Sequence, residues 1–413
     1  MKKAYILSML FLLAACATPK DPYASIKDEM VRASLEYSDQ QLRVLLDETL
    51  QSLDTVTITE KTRVEPKIIA PDGSLSLVAP RDWTSGFFPG TMWYLYEESG
   101  DEFWKENAIR FTDYLESIKT YKGTHDLGFM IYCSYGNGLR LAQVPGYDEV
   151  MLEGARSLIS RFNPNVGCIR SWDHGKWQFP VIIDNMMNLE LLFWASKASG
   201  DPVFRDIAIT HANTTMANHF RPDYSSYHVV DYDAAGDGKA YQFNTAQGFA
   251  DESAWARGQA WGLYGFTMCY RETGYARYLQ QAENIAQFIL NNKNLPEDGV
   301  FYWDFDAPDI PNAPRDVSAS AVAASALYEL STMSEEHGRQ YLEAADKIVD
   351  SIAAKYTNKL GEMHGFLTHS SVGNLPGNSE ISVPLNYADY YFVEALVRKE
   401  RLAEGKPVVP LVD

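Results

Sequence analysis

Beyond its first residues, no stretch of this 413-residue chain holds the roughly 20 consecutive apolar side chains that a membrane-spanning helix needs. Cysteine is nearly missing. The four present, Cys16, Cys133, Cys168 and Cys269, are too few and too widely spaced for a disulfide framework or a zinc site, and neighbours such as Met130-Ile131-Tyr132 point to buried thiols. Basic residues are outnumbered, 36 Lys and Arg against 55 Asp and Glu, for a formal net charge of −19. That balance argues against nucleic acid or an anionic membrane surface as partner, because either needs a basic face. Strand-like alternation is confined to short pieces such as Thr55-Val56-Thr57-Ile58-Thr59, and no low-complexity linker divides the chain.

The amino terminus reads Met1-Lys2-Lys3, then an apolar run from Ala4 to Leu13, then Ala14-Ala15-Cys16. A charged start, a short apolar run and small residues before a cysteine are the features of a bacterial lipoprotein signal peptide. Residues 1–15 are therefore expected to be removed and Cys16 to be acylated. Residues 16–25 would be a tether and 26–413 a single catalytic domain. The expected product is an exported lipoprotein of the outer membrane facing the periplasm, with the cell surface as the alternative, touching lipid only through that anchor.

Helical periodicity dominates the rest. It predicts twelve helices, near 26–53, 88–98, 101–119, 126–142, 148–163, 182–199, 201–219, 254–273, 275–293, 316–331, 336–356 and 384–402. Glu98-Ser99-Gly100-Asp101, Ala198-Ser199-Gly200-Asp201 and Glu272-Thr273-Gly274-Tyr275 each put a glycine at a helix end with the next helix starting at once, the sign of tight helical hairpins. Six such hairpins closing on themselves make an all-α (α/α)6 barrel. The even-numbered helices are apolar nearly all round and so form the inner ring, while the odd-numbered ones are amphipathic and lie outside. All six inner helices then aim their N-termini, with free N–H groups and positive potential, at one end, a natural pocket for an anion. The irregular stretch 221–253 is expected to fold over that mouth. Aromatics make up 13% of the chain, with nine Trp and twenty-five Tyr, and sugars bind by stacking on such rings.

Two carboxylates stand out. Asp184 lies in Phe179-Pro180-Val181-Ile182-Ile183-Asp184-Asn185-Met186-Met187-Asn188-Leu189, nearly unbroken apolar sequence. Burying a carboxylate costs several kcal/mol unless it is protonated or well bonded. Desolvation raises its pKa, which suits a general acid–base. Asp126 follows Thr124-His125 and opens an apolar segment; taken alone it reads equally well as a helix-capping acid. A third cluster, from Thr245 to Trp261, sets Arg257 and Trp261 four apart on one helix face. A guanidinium beside an indole suits a sugar acid, as a carboxylate clamp next to a stacking surface; an ion pair of Arg257 with Asp251 or Glu252 is the structural alternative.

From Trp83 to Ala395 the chain resembles the unsaturated glucuronyl hydrolases, glycoside hydrolase family 88. The matching motifs are Trp83-Thr84-Ser85-Gly86-Phe87-Phe88-Pro89-Gly90, His125-Asp126-Leu127-Gly128-Phe129, Ile183-Asp184-Asn185-Met186-Met187-Asn188, the 251–261 cluster, and Tyr387-Ala388-Asp389-Tyr390-Tyr391-Phe392-Val393-Glu394-Ala395. The resemblance implies an (α/α)6 barrel needing no metal or other cofactor. It implies removal of a 4,5-unsaturated uronic acid from oligosaccharides left by polysaccharide lyases, by hydration of the C4=C5 vinyl ether and not by attack at the anomeric carbon. Carried over, Asp184 is the general acid and base and Asp126 the second catalytic carboxylate. Trp83, His125, His228, Gln247, Arg257 and Trp261 match substrate contacts. No Lys or Arg occurs between Lys359 and Arg398, where sulfate-preferring relatives tend to place cations.

Three rivals are open to test. An unsaturated rhamnogalacturonyl hydrolase would share barrel and chemistry but act on pectin fragments, and the His125-Asp126 pair favours the glucuronyl type. A lipid-anchored glycan-binding protein would need no buried acid. A sugar isomerase of the same fold would want paired histidines on inner helices, and the eight His here fall mostly in loops.

Overall fold

The computed structural model describes residues 21–410, so the expected signal peptide, residues 1–15, and Cys16 lie outside the described residues. Among those described there are twelve α-helices: α1 (Glu29–Leu53), α2 (Phe87–Ser99), α3 (Glu102–Asp113), α4 (Asn137–Ala142), α5 (Tyr147–Ile159), α6 (Leu189–Ser199), α7 (Pro202–Asn218), α8 (Ala256–Thr273), α9 (Ala276–Leu290), α10 (Val317–Ser331), α11 (Gly338–Lys355) and α12 (Asn386–Ala403). Two expected helices are irregular at their starts. A π-helix, Gly128–Gly136, runs into α4, and a 3₁₀ turn, Ile183–Asn188, runs into α6.

The inner ring is α2, the π-helix with α4, α6, α8, α10 and α12, each packed on the next, with α12 returning to α2. Outside, α3, α5, α7, α9 and α11 each pack on the inner helix before them, and α1 packs on α12. The first helix thus completes the last hairpin, and the fold is the expected (α/α)6 barrel.

Composition explains the two rings. In α10 every residue from Val317 to Leu330 is buried, because its alanines and serines let neighbouring helices close in on all sides. In α11 only Tyr341, Ala345, Ile348, Val349 and Ile352 are buried, one stripe at helical spacing. The inner-to-outer turns are short: Gly100, Gly200 and Gly274 take left-handed φ values of 63°, 73° and 67° and cap α2, α6 and α8. The carboxylates of Asp101 and Asp201 then cap α3 and α7 at once.

The outer-to-inner connections are long and carry the strands. β1 (Glu65–Ile69) pairs with β2 (Leu75–Val78), and β3 (Phe162–Asn163) with β4 (Cys168–Ile169). β5 (Pro180–Ile182), β6 (Val229–Tyr232) and β7 (Ala240–Asn244) form one antiparallel sheet, and β8 (Ser371–Asn374) pairs with β9 (Ser379–Val383). Residues 221–253 thus hold a hairpin that extends the sheet leading to Asp184. The alternation at 55–59 is no strand: all five residues are exposed, and nothing packs on Val56 or Ile58 to reward pairing. Cys133, Cys168 and Cys269 are free and buried.

Candidate active site

A cleft of about 380 Å³ opens at the N-terminal end of the inner ring, and Trp83, Asp126, Asp184, Gln247 and Arg257 line it with His125. Its two aspartates are joined through backbone contacts between motifs. Asn188 Oδ1 accepts from Phe129 N at 2.9 Å, and a Cβ on Gly128 would meet Asn188 Cα at 2.5 Å, so only glycine allows this approach. Gly86 is equally confined, its Cβ position 2.3 Å from Phe129 O, which seats the Trp83 turn on the same segment. Asn185 Nδ2 donates to Ile169 O at 2.8 Å and lies 3.3 Å from Ser171 Oγ; Ser171 O in turn accepts from His125 N. The Asp126 and Asp184 segments are therefore one hydrogen-bonded unit.

Asp184 is 8% exposed, in the 3₁₀ turn, and its Oδ2 has no hydrogen-bond partner within the chain. Burial pushes its pKa up to about 7, with Arg257 pulling down and Asp126 pushing further up. His228 Nε2 sits 3.8 Å from Asp184 Oδ2. Burial holds this ring down at about 3, and its Nδ1 accepts from Ala246 N at 3.0 Å and Gln247 N at 3.1 Å. Asp126 Oδ2 accepts from Thr124 Oγ1 at 2.5 Å, and His125 Nε2 lies 3.1 Å from Asp126 Oδ1. His125 is buried, which lowers its pKa, while Asp126 pulls it back up.

Two site residues are arranged otherwise than the sequence suggested. Arg257 is no free clamp: at 1% exposure it donates to Asp316 Oδ2 at 2.9 Å, to Val372 O and to Gly373 O at 2.8 Å, and only its Nε is unpartnered. Nor does it pair with Asp251 or Glu252; Asp251 Oδ1 accepts from Thr245 N instead. Trp261 is no stacking surface. It is fully buried against Phe129 and Tyr391, and its indole N–H has no hydrogen-bond partner within the chain. Gln247 Nε2 donates to Gly373 O at 2.9 Å, so Gln247 and Arg257 together hold the β8–β9 hairpin against the cleft. Trp83 is half-buried and packs on Phe87, Phe129 and Tyr387.

Sequence reasoning missed several lining groups. Trp172 is half-buried and stacks on His174 at 5.5 Å between centroids; the Ser171-Trp172-Asp173-His174 cluster was a readable signal. Arg81 lies over the Tyr121 ring on the cleft wall. Asp316, the partner of Arg257, looks locally like any helix cap, which it also is.

The chain matches glycosyl hydrolase family 88 over residues 55–405. It belongs to that family. It is 43% identical over 403 residues to the unsaturated glucuronyl hydrolase of Formosa agariphila, covering 96% of this chain and 97% of that one. The solved structure of an unsaturated glucuronyl hydrolase specific for heparin is 48% identical, with a TM-score of 0.85 over 93% of this chain and 100% of the other. That of the Bacillus sp. GL1 unsaturated glucuronyl hydrolase, responsible for glycosaminoglycan degradation, is 31% identical, with a TM-score of 0.80 over 90% and 98%. As a family 88 member the protein is a glycoside hydrolase.

Proposed function

We propose that this protein removes 4,5-unsaturated glucuronic acid from the non-reducing end of lyase-generated oligosaccharides of glycosaminoglycan type, by hydrating the C4=C5 double bond. One observation carries the mechanism: Asp184 is a buried carboxyl at the cleft whose pKa stands near neutrality and whose Oδ2 is unpartnered. Its proton goes to C4, and positive charge develops on C5 and the ring oxygen. Asp126 is the second carboxylate beside that charge. Water then adds at C5 and gives its proton to the Asp184 carboxylate, restoring the acid. The hemiketal opens to a ketone at C5, and the aglycone leaves from C1 with its oxygen and a proton. His228, His125, Gln247 and the Arg257-anchored hairpin surround the sugar acid, with Trp83 as an aromatic wall.

The heparin specificity of the 48% identical relative supports heparin-type disaccharides as first candidates. The lack of Lys and Arg between Lys359 and Arg398, which spans the β8–β9 hairpin, supports an aglycone unsulfated on that side. The amino-terminal pattern ending at Cys16 supports an exported, lipid-anchored enzyme, placed to meet such fragments outside the cytoplasm. The test is loss of the ultraviolet absorbance of the unsaturated uronate when purified protein meets a panel of lyase-generated disaccharides. Unchanged absorbance across the panel overturns the reading.

A further inference from the structure

The two histidines beside the aspartates are held in opposite tautomers. His228 Nδ1 receives two backbone N–H groups, from Ala246 and Gln247, so it must be bare, and the ring's one proton is on Nε2, facing Asp184 Oδ2 at 3.8 Å. His125 Nδ1 lies 2.9 Å from the carbonyl oxygen of Ser171. A carbonyl only accepts, so here the proton is on Nδ1, and in a neutral ring Nε2 is a lone pair. That lone pair is 3.1 Å from Asp126 Oδ1. The approach is oblique, leaving Nε2 without an aligned hydrogen-bond partner. An ion pair tolerates such an angle; two facing lone pairs at that distance only repel.

We propose that His125 carries a second proton, on Nε2, and stands against the Asp126 carboxylate as an ion pair of zero net charge in the unliganded cleft. His125 is then a positioning residue that acts through Asp126. The inference rests on the reading of the cleft as a uronate site, and it accounts for how two aspartates accept an anion there. Arg257 is matched by Asp316 at 2.9 Å. The other charge facing His125 is Arg161, itself paired with Asp173 at 2.9 Å, and the neighbouring His211 and His228 are both neutral because burial lowers them. With Asp126 a bare carboxylate, the cleft would hold one unpaired negative charge beside a protonated Asp184; with the second proton on His125 it holds none. Burial opposes an isolated imidazolium at 125 and opposes a neutral pair far less.

The test is a long-range proton–nitrogen correlation spectrum of the full chain labelled with ¹⁵N-histidine, without ligand. We expect His228 as the Nε2–H ring throughout the pH range in which the protein is folded. His125 is expected to have Nδ1 protonated and Nε2 displaced from the bare-nitrogen position, moving to that position in Asp126→Asn. A bare Nε2 in the unmodified protein overturns the proposal, as does a signal that Asp126→Asn leaves unmoved. Should that variant fail to fold, the unmodified spectrum decides alone. The absorbance assay on the same sample separates the two readings: the expected spectrum from a protein inert toward every disaccharide would sink the activity and leave the ion pair standing.

Discussion

Arg257 donates from a fully buried guanidinium to Asp316 Oδ2 at 2.9 Å, while Asp316 Oδ1 caps α10 by accepting from Ser318 N at 3.1 Å and Ala319 N at 3.3 Å. One carboxylate thus ties the β8–β9 wall of the cleft to an inner-helix N-terminus.

Removing one partner of a buried ion pair strands the other charge. Asp316→Ala is therefore expected to destabilise the fold by about 3–5 kcal/mol, partly through the lost cap. Urea denaturation of the variant measures this. A loss under about 1 kcal/mol would show that Arg257 finds another counter-charge.

Asp184→Asn removes the proton donor and keeps the shape. Turnover of an unsaturated disaccharide should fall by about 10²–10⁴-fold with substrate still binding. Isothermal titration with the intact disaccharide separates the two effects, and near-normal turnover would move the proton transfers elsewhere.

The same residue sets a pH dependence. Its pKa is raised from 3.8 to about 7, so the folded state favours the protonated form. Its stabilising share is complete below the unfolded value and is lost as pH rises through about 7, a penalty on the order of 4 kcal/mol once ionised. Activity should fall over the same window as the acid form disappears. Asp184→Asn should be more stable than the parent above pH 7 and lose that advantage near pH 4; melting curves at both pH values check the sign.

Asp389 accepts from Leu367 N, Thr368 N and Thr368 Oγ1 at 2.8–2.9 Å, using both oxygens. Asn at 389 would turn an N–H₂ group toward an N–H donor. A cost of about 1–3 kcal/mol is expected in thermal unfolding. A silent substitution would mean that the 367–368 segment can shift.

For Cys16, Cys16→Ser should move the protein from the membrane fraction to the soluble exported fraction and abolish incorporation of labelled fatty acid. Continued membrane retention would remove the lipid-anchor proposal.

Much of the architecture was legible in the sequence because its causes are local. Glycines at helix ends force tight turns, and an apolar surface all round, as in α8 and α10, can only be an inner helix. Asp184 was legible for the same reason: a carboxylate inside Ile182-Ile183 and Met186-Met187 is desolvated wherever that segment goes. Which groups meet was decided only by closing the ring. Arg257 finds Asp316 fifty-nine residues away, Trp261 disappears behind Phe129 and Tyr391, and the tautomers of His125 and His228 are set by Ser171 O and by the Ala246 and Gln247 amides. Periodicity is a property of neighbours along the chain; charge pairing and proton placement depend on neighbours across it.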